Sequence, residues 1–167
     1  MHLPPALPRL VAWFDPGQTT GYAFLTTNLL IGGVHGFRSG QWRTEEIVDE
    51  LQDILDTYEI FRGQKAWIGW ENYLVTAGGG MSGTPRHALE AIGVLRGVCD
   101  DYKVHRLASV PASGRKVVST DVLKEIGWYN PGHKHANDAA QHLAAWCARE
   151  GYLTDLLEPA LRKNLPA

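Results

Sequence analysis

Residues 10–27 read LVAWFDPGQTTGYAFLTT, and the rest of the fold is read outward from them. Residues 10–14 (LVAWF) form a short apolar run broken at Asp15-Pro16-Gly17, the pattern of a buried strand entering a turn. Residues 22–27 and 31–38 are also strand-like, interrupted by Asn28, Gly32, Gly33 and Gly36. Three such segments in succession predict an antiparallel meander.

Downstream the period changes. Thr44 reads as an N-cap, because acids follow at once and Ile47, Leu51, Ile54, Leu55 and Tyr58 recur at helical spacing. Residues 65–70 (KAWIGW) form a second buried strand that ends at Glu71, followed by a glycine-rich loop, AGGGMSG, at 77–83. Thr84-Pro85 opens a helix to about Asp101. Its apolar arc is wide, which implies burial on more than one side or a partner helix, and Gly93 and Gly97 lie four apart on one face. Residues 104–110 read as a third buried strand, followed by a basic loop. A short helix over 121–126, a turn at Asn130-Pro131-Gly132 and a strong helix over 134–149 come next. Gly151 ends that helix, and the remaining tail predicts a peripheral helix. The order is β-β-β-α-β-α-β-α-α, which fits an α/β fold with a mixed sheet and helices on its faces. With 167 residues and no linker or repeat, the expectation is a single domain over 1–167, with a core over about 10–150 and a peripheral segment over 151–167.

The composition, 44% hydrophobic and 20% charged, is that of a globular chain. Its apolar stretches fall short of the roughly 20 residues needed to cross a bilayer. The N-terminus lacks the pattern of a secretory signal. Cys99 and Cys147 are too few for a disulfide scaffold and lack zinc-finger spacing. A reduced, soluble, cytoplasmic domain is expected.

Charge is unevenly spread. The net −2 conceals seven acids between Thr44 and Ile60 with no Lys or Arg among them, leaving the rest of the chain at +5. The acidic run reads as a solvated helix face. From Lys103 to Lys134 there are six basic residues (Lys103, Arg106, Arg115, Lys116, Lys124, Lys134) and two acids, a local +4. That stretch is either ordinary solubilising charge or a phosphate-contacting surface.

Four side chains fall at the ends of elements. Asp15 ends the first strand and Glu71 ends the fourth, while His135 and Asp138 share one face near the start of the late helix. Each has an ordinary reading: a turn former, a solvated strand end, a capping histidine, a first-turn acid. As a set they can converge, since ligands gather at strand ends in open sheets. Carboxylates brought together in a partly dry site repel by several kcal/mol, a cost that a divalent cation removes, and hard oxygen ligands suit Mg²⁺ or Mn²⁺.

The same residues carry a resemblance. Asp15-Pro16-Gly17 with Thr20-Gly21-Tyr22, then Glu71 closing a strand, then His135-Ala136-Asn137-Asp138-Ala139-Ala140 opening a late helix, together resemble the RuvC-type Holliday junction resolvases. The phage-encoded branch is the most similar. The likeness spans about residues 10–149. It implies a ribonuclease H-like fold: a mixed five-stranded sheet, three antiparallel strands and then parallel ones, with helices on both faces. It also implies a homodimeric, metal-dependent endonuclease of DNA recombination and repair that cuts four-way (Holliday) junctions and leaves 5′-phosphate and 3′-hydroxyl ends. Asp15, Glu71 and Asp138 would be the carboxylate ligands, and His135 stands where many relatives have Asp. Two Mg²⁺ ions (or Mn²⁺) per site, about 3.5–4 Å apart, would serve in-line hydrolysis. Asp15 would bridge both, Asp138 with His135 would hold one, and Glu71 would help hold the other. Tyr73 is placed like an aromatic the family uses near the junction centre, and Arg115, Lys116, Lys124 and Lys134 lie in the region of its DNA-contacting bases.

Two other classes fit part of the pattern. A catalytically silent junction-binding module would keep the fold without turnover. A phosphotransferase-type ATP-binding domain also opens with an Asp-x-Gly turn, but such proteins enclose ATP between two domains.

Overall fold

The computed structural model describes residues 8–27, 35–62, 65–71, 86–107 and 117–164. Strands β1 (Leu10–Asp15), β2 (Thr19–Thr27) and β3 (His35–Arg43) are followed by helix α1 (Ile47–Thr57) and strand β4 (Ala66–Trp70). Helix α2 (Arg86–Asp101), the short β5 (His105–Arg106), and helices α3 (Thr120–Glu125), α4 (Lys134–Arg149) and α5 (Thr154–Lys163) complete the order. The sheet runs β3-β2-β1-β4-β5, antiparallel across β3, β2 and β1 and parallel from β1 through β4 to β5.

β1 is central, and all six of its residues are buried because both faces of the sheet are covered. Successive side chains point to opposite faces. Leu10, Ala12 and Phe14 enter a core shared with α1 and α2, whereas Val11 and Trp13 enter one shared with α3, α4 and α5. β4 alternates likewise: Ala66, Ile68 and Trp70 face the first core and Trp67 packs against the second. Parity therefore puts Asp15 and Glu71 on the α4 side.

Boundaries shift where short-range signals mislead. β3 is not 31–38 but His35–Arg43 (residues 28–34 lie outside the described set), and two glycines sit within the strand. Gly36, expected to interrupt the strand, pairs with Thr26 within it, and Gly40 pairs with Tyr22, whose hydroxyl occupies the space a Cβ would need. Thr44 is not the cap of α1. Its hydroxyl donates to the Gly17 carbonyl at 3.3 Å, while Arg43 N–H donates to Glu46 Oε2 at 2.8 Å in a capping box. Within the described residues the expected buried strand over 104–110 is reduced to His105 and Arg106, both exposed. They pair with Trp67 and Ile68 at the sheet edge, where, among the described residues, no strand pairs the outer side of the ladder and polar residues are tolerated.

α2 buries Ala88, Ala91, Ile92, Leu95, Val98 and Cys99, a single face. The opposite side carries Leu89, 49% exposed, and a Cβ built on Gly93 or Gly97 meets nothing within 4 Å. No described helix of the chain approaches these glycines. α5 brings Leu157 and Ala160 into the second core beside Tyr152. Among the described residues no helix is long and apolar enough to cross a membrane.

Candidate active site

The loop after β1 is held by its own hydroxyls. Thr20, fully buried, donates from Oγ1 to the Gly17 carbonyl (3.3 Å) and accepts from Gly17 N–H (3.4 Å). This closes the Asp-Pro-Gly turn and sets Asp15 opposite Gly21 in the β1–β2 register. The first turn of α4 lies directly on that pair. A Cβ at Gly21 would overlap the His135 carbonyl, so only glycine admits the helix here. Fully buried Ala136, Ala139 and Ala140 keep α4 close to the sheet along its length.

Further bonds orient the helix start. His135 N–H donates to Gln41 Oε1 on β3 at 3.1 Å. Asn137 brackets the preceding turn: its Oδ1 accepts from Asn130 N–H (2.8 Å) and its Nδ2 donates to the Asn130 carbonyl (2.9 Å). Asn130 Nδ2 in turn reaches the Ser39 carbonyl at 3.2 Å. The Asn of the His-Ala-Asn-Asp segment is thus a structural latch.

These constraints bring Asp15, His135 and Asp138 together. One ligand atom from each lies within 4.8 Å of the other two, and His135 Nδ1 is 2.6 Å from Asp15 Oδ2. Asp15 is 4% exposed. Burial, above all, pushes its carboxyl up from 3.8 to about 6; the charges of Glu71 and Asp138 push the same way, and the bond and charge of His135 oppose them. Two carboxylates and one imidazole, one of the carboxylates nearly dry, fit a divalent cation: the oxygens are hard donors, and the ion would offset the charge that raises Asp15.

Glu71 is placed on the same side and held differently. Its N–H donates to the Phe14 carbonyl at 3.0 Å, extending the parallel ladder to the level of Asp15. Its buried carboxylate stands outside the tight group of three, with Oε2 3.1 Å from His142 Nε2. The sequence reading passed over His142. Its signal was present, since 135, 138 and 142 follow the i, i+3, i+7 stripe of one helix face.

Of the expected DNA-contacting residues, Lys134 opens α4 beside His135 and is exposed. Lys124 on α3 pairs with Asp121 at 3.1 Å and lies over the Tyr129 ring at 5.5 Å. Tyr73, Arg115, Lys116 and the glycine-rich loop lie outside the described residues.

No protein-family model matches the chain, and no curated protein matches it. Among solved structures it is similar to RuvC of T. thermophilus, determined in complex with a Holliday junction substrate. The two are 17% identical, with a TM-score of 0.54 over 85% of this chain and 96% of that one. YeaZ from Pseudomonas aeruginosa is more distant, 15% identical with a TM-score of 0.40 over 71% of this chain and 52% of that one. At such identity the likeness speaks to architecture, and with the sheet order and helix placement above it shows that the chain has the RuvC-like ribonuclease H fold.

Proposed function

We propose that the chain is a metal-dependent, structure-selective DNA endonuclease that resolves four-way junctions and related branched DNA, leaving 5′-phosphate and 3′-hydroxyl ends. The observation that carries this reading is the convergence of Asp15, His135 and Asp138 on one face of a RuvC-like sheet. RuvC of T. thermophilus, one solved structure similar to this chain, was determined in complex with a Holliday junction substrate. The phage-type branch, and with it a bacterial host cytoplasm, rests on the sequence resemblance.

In this reading Asp15, Asp138 and His135 hold a divalent cation, Mg²⁺ or Mn²⁺, and Glu71 contributes toward a second. When bound, such ions activate the attacking water and neutralise charge on the phosphate and leaving oxygen. The chain's own work is to assemble the donors. The β1–β2 turn fixes Asp15, Gly21 admits α4, and the His135 ring meets Asp15 Oδ2. Lys134, exposed at the head of α4, offers a positive charge to a phosphate approaching that end, a contact that positions DNA without reading its sequence. Tyr73, Arg115, Lys116 and Lys124 are proposed to extend that contact.

A homodimer is proposed through the open side of α2. Gly93 and Gly97 each cost a helix about 0.5–1 kcal/mol relative to alanine, and a second copy of α2 approaching closely would account for that expense. Incubation of the protein with an end-labelled four-way junction, with and without Mg²⁺, tests the function. Symmetric nicks with ligatable ends support it. Junction binding without cleavage in any divalent cation would show a silent binding module instead.

A further inference from the structure

His142 lies one helical turn beyond Asp138 on α4 and is 1% exposed. One ring nitrogen, Nε2, is 3.1 Å from Glu71 Oε2. The ring stacks on Trp13, with centroids 5.7 Å apart and planes 15° from parallel. Trp13 is itself pinned, because its indole covers Gly69, where a Cβ would come within 2.6 Å of the ring. Gly69 precedes Glu71 by two residues on the same face of β4. A chain of contacts thus runs from the strand through two rings and back to the carboxylate at that strand's end.

Packing alone does not account for an imidazole here. Among the described residues its Nδ1 is buried without a hydrogen-bond partner. A buried polar atom left so carries a desolvation cost that leucine or phenylalanine would avoid. A bare lone pair costs less than an orphaned N–H, so the ring proton belongs on Nε2, where it is donated to the carboxylate.

We propose that His142 is a positioning residue for Glu71, fixing the orientation in which this carboxylate contributes to divalent-cation binding. The proposal rests on the reading of the Asp15–His135–Asp138 group as a cation site. Hydrogen bonds from behind a ligating carboxylate typically govern affinity by about 10- to 100-fold.

The test is Mn²⁺ binding to the full chain, followed by calorimetry and by the electron paramagnetic resonance of free ion. His142→Phe keeps a flat ring against Trp13 and removes the donor; His142→Gln replaces the donor without the ring. His142→Phe is expected to weaken Mn²⁺ binding about 10- to 100-fold with an unchanged circular dichroism spectrum, and His142→Gln to recover most of the loss. A purely structural residue would lower Tm and leave the Mn²⁺ affinity of the folded protein alone; that result overturns the proposal. Absence of Mn²⁺ binding by the wild-type chain would overturn the cation site itself, which separates the two failures. If His142→Phe does not fold, ¹⁵N resonances of the wild-type histidine rings decide. A proton on Nε2 of His142 that responds to added Mg²⁺ supports the proposal, and a proton on Nδ1 overturns it.

Discussion

Asp15 Oδ2 and His135 Nδ1 stand 2.6 Å apart although 120 residues separate them in the chain. Neither residue makes a site alone. Asp15 is a strand end whose carboxylate is nearly dry, and His135 is a half-exposed ring on the first turn of a helix. Their contact exists because one glycine lets that helix touch the sheet.

Asp15→Asn is the first consequence. The amide cannot supply the anionic oxygen that the cation site needs, and losing several kcal/mol of charge stabilisation slows cleavage by about 10³-fold or more. Junction binding, carried by contacts to the DNA backbone, is expected to persist in a gel-shift assay. Near-normal Mg²⁺-dependent cutting by this variant would remove Asp15 from the site.

The raised carboxyl of Asp15 makes stability depend on pH with a definite sign. The folded chain keeps this proton up to about pH 6, while the unfolded chain releases it near 3.8. Within that window the folded state binds more protons, so the contribution is fully present below 3.8 and is lost as pH rises through 6. The loss is on the order of 2–3 kcal/mol. Metal-free Asp15→Asn is therefore expected to be more stable than wild type at pH 7 and to lose that advantage near pH 4, as read by urea titrations. Added Mg²⁺ should raise the wild-type Tm at pH 7 and leave the variant's unchanged.

Glycine to alanine should act in opposite directions at two positions. At Gly21 the new methyl overlaps the His135 carbonyl, so α4 must shift. A cost of about 1–3 kcal/mol is expected, together with loss of cleavage and of Mn²⁺ affinity. At Gly93 the methyl meets open space, and the isolated fold should gain about 0.5–1 kcal/mol from helix propensity. If a second copy packs on that face, the same variant shifts the dimer toward monomer in sedimentation. A wild-type chain that is monomeric at micromolar concentration and fully active overturns the dimer.

Asn137→Ala removes both bonds to Asn130 and leaves its backbone groups to find other partners. About 1–3 kcal/mol of stability should be lost. The 130–132 turn then loosens from α4, so cleavage should fall more steeply with temperature than in wild type. Thermal melts alongside activity at two temperatures check this.

Local pattern was enough for much of the fold. The apolar run 10–14, the period of α1 and the bounds of α4 are set by side chains close in sequence, and they reappear in the structure where the spacing put them. Patterning failed where a residue answers to a distant partner. Gly36 reads as a turn until it is seen paired with Thr26 inside β3, and Thr44 reads as a cap until Gly17 is found beside it. β5 reads as buried because Val104 and Leu107 flank it, yet an edge position leaves His105 and Arg106 outside.

The candidate site divides in the same way. Its members could be named from the sequence because strand ends and a helix start are where carboxylates and histidines collect. Alternation along β1 and β4 even fixes the side to which Asp15 and Glu71 turn. Which of them meet is a matter of tertiary contact: Gly21 sets the height of α4 over the sheet, so Asp15 closes on His135 and Asp138, while Glu71 is taken up by His142. Periodicity assigns a side chain to a face, but angstrom-scale proximity depends on how closely two backbones can pack, and that is decided only when the helix and the sheet come together.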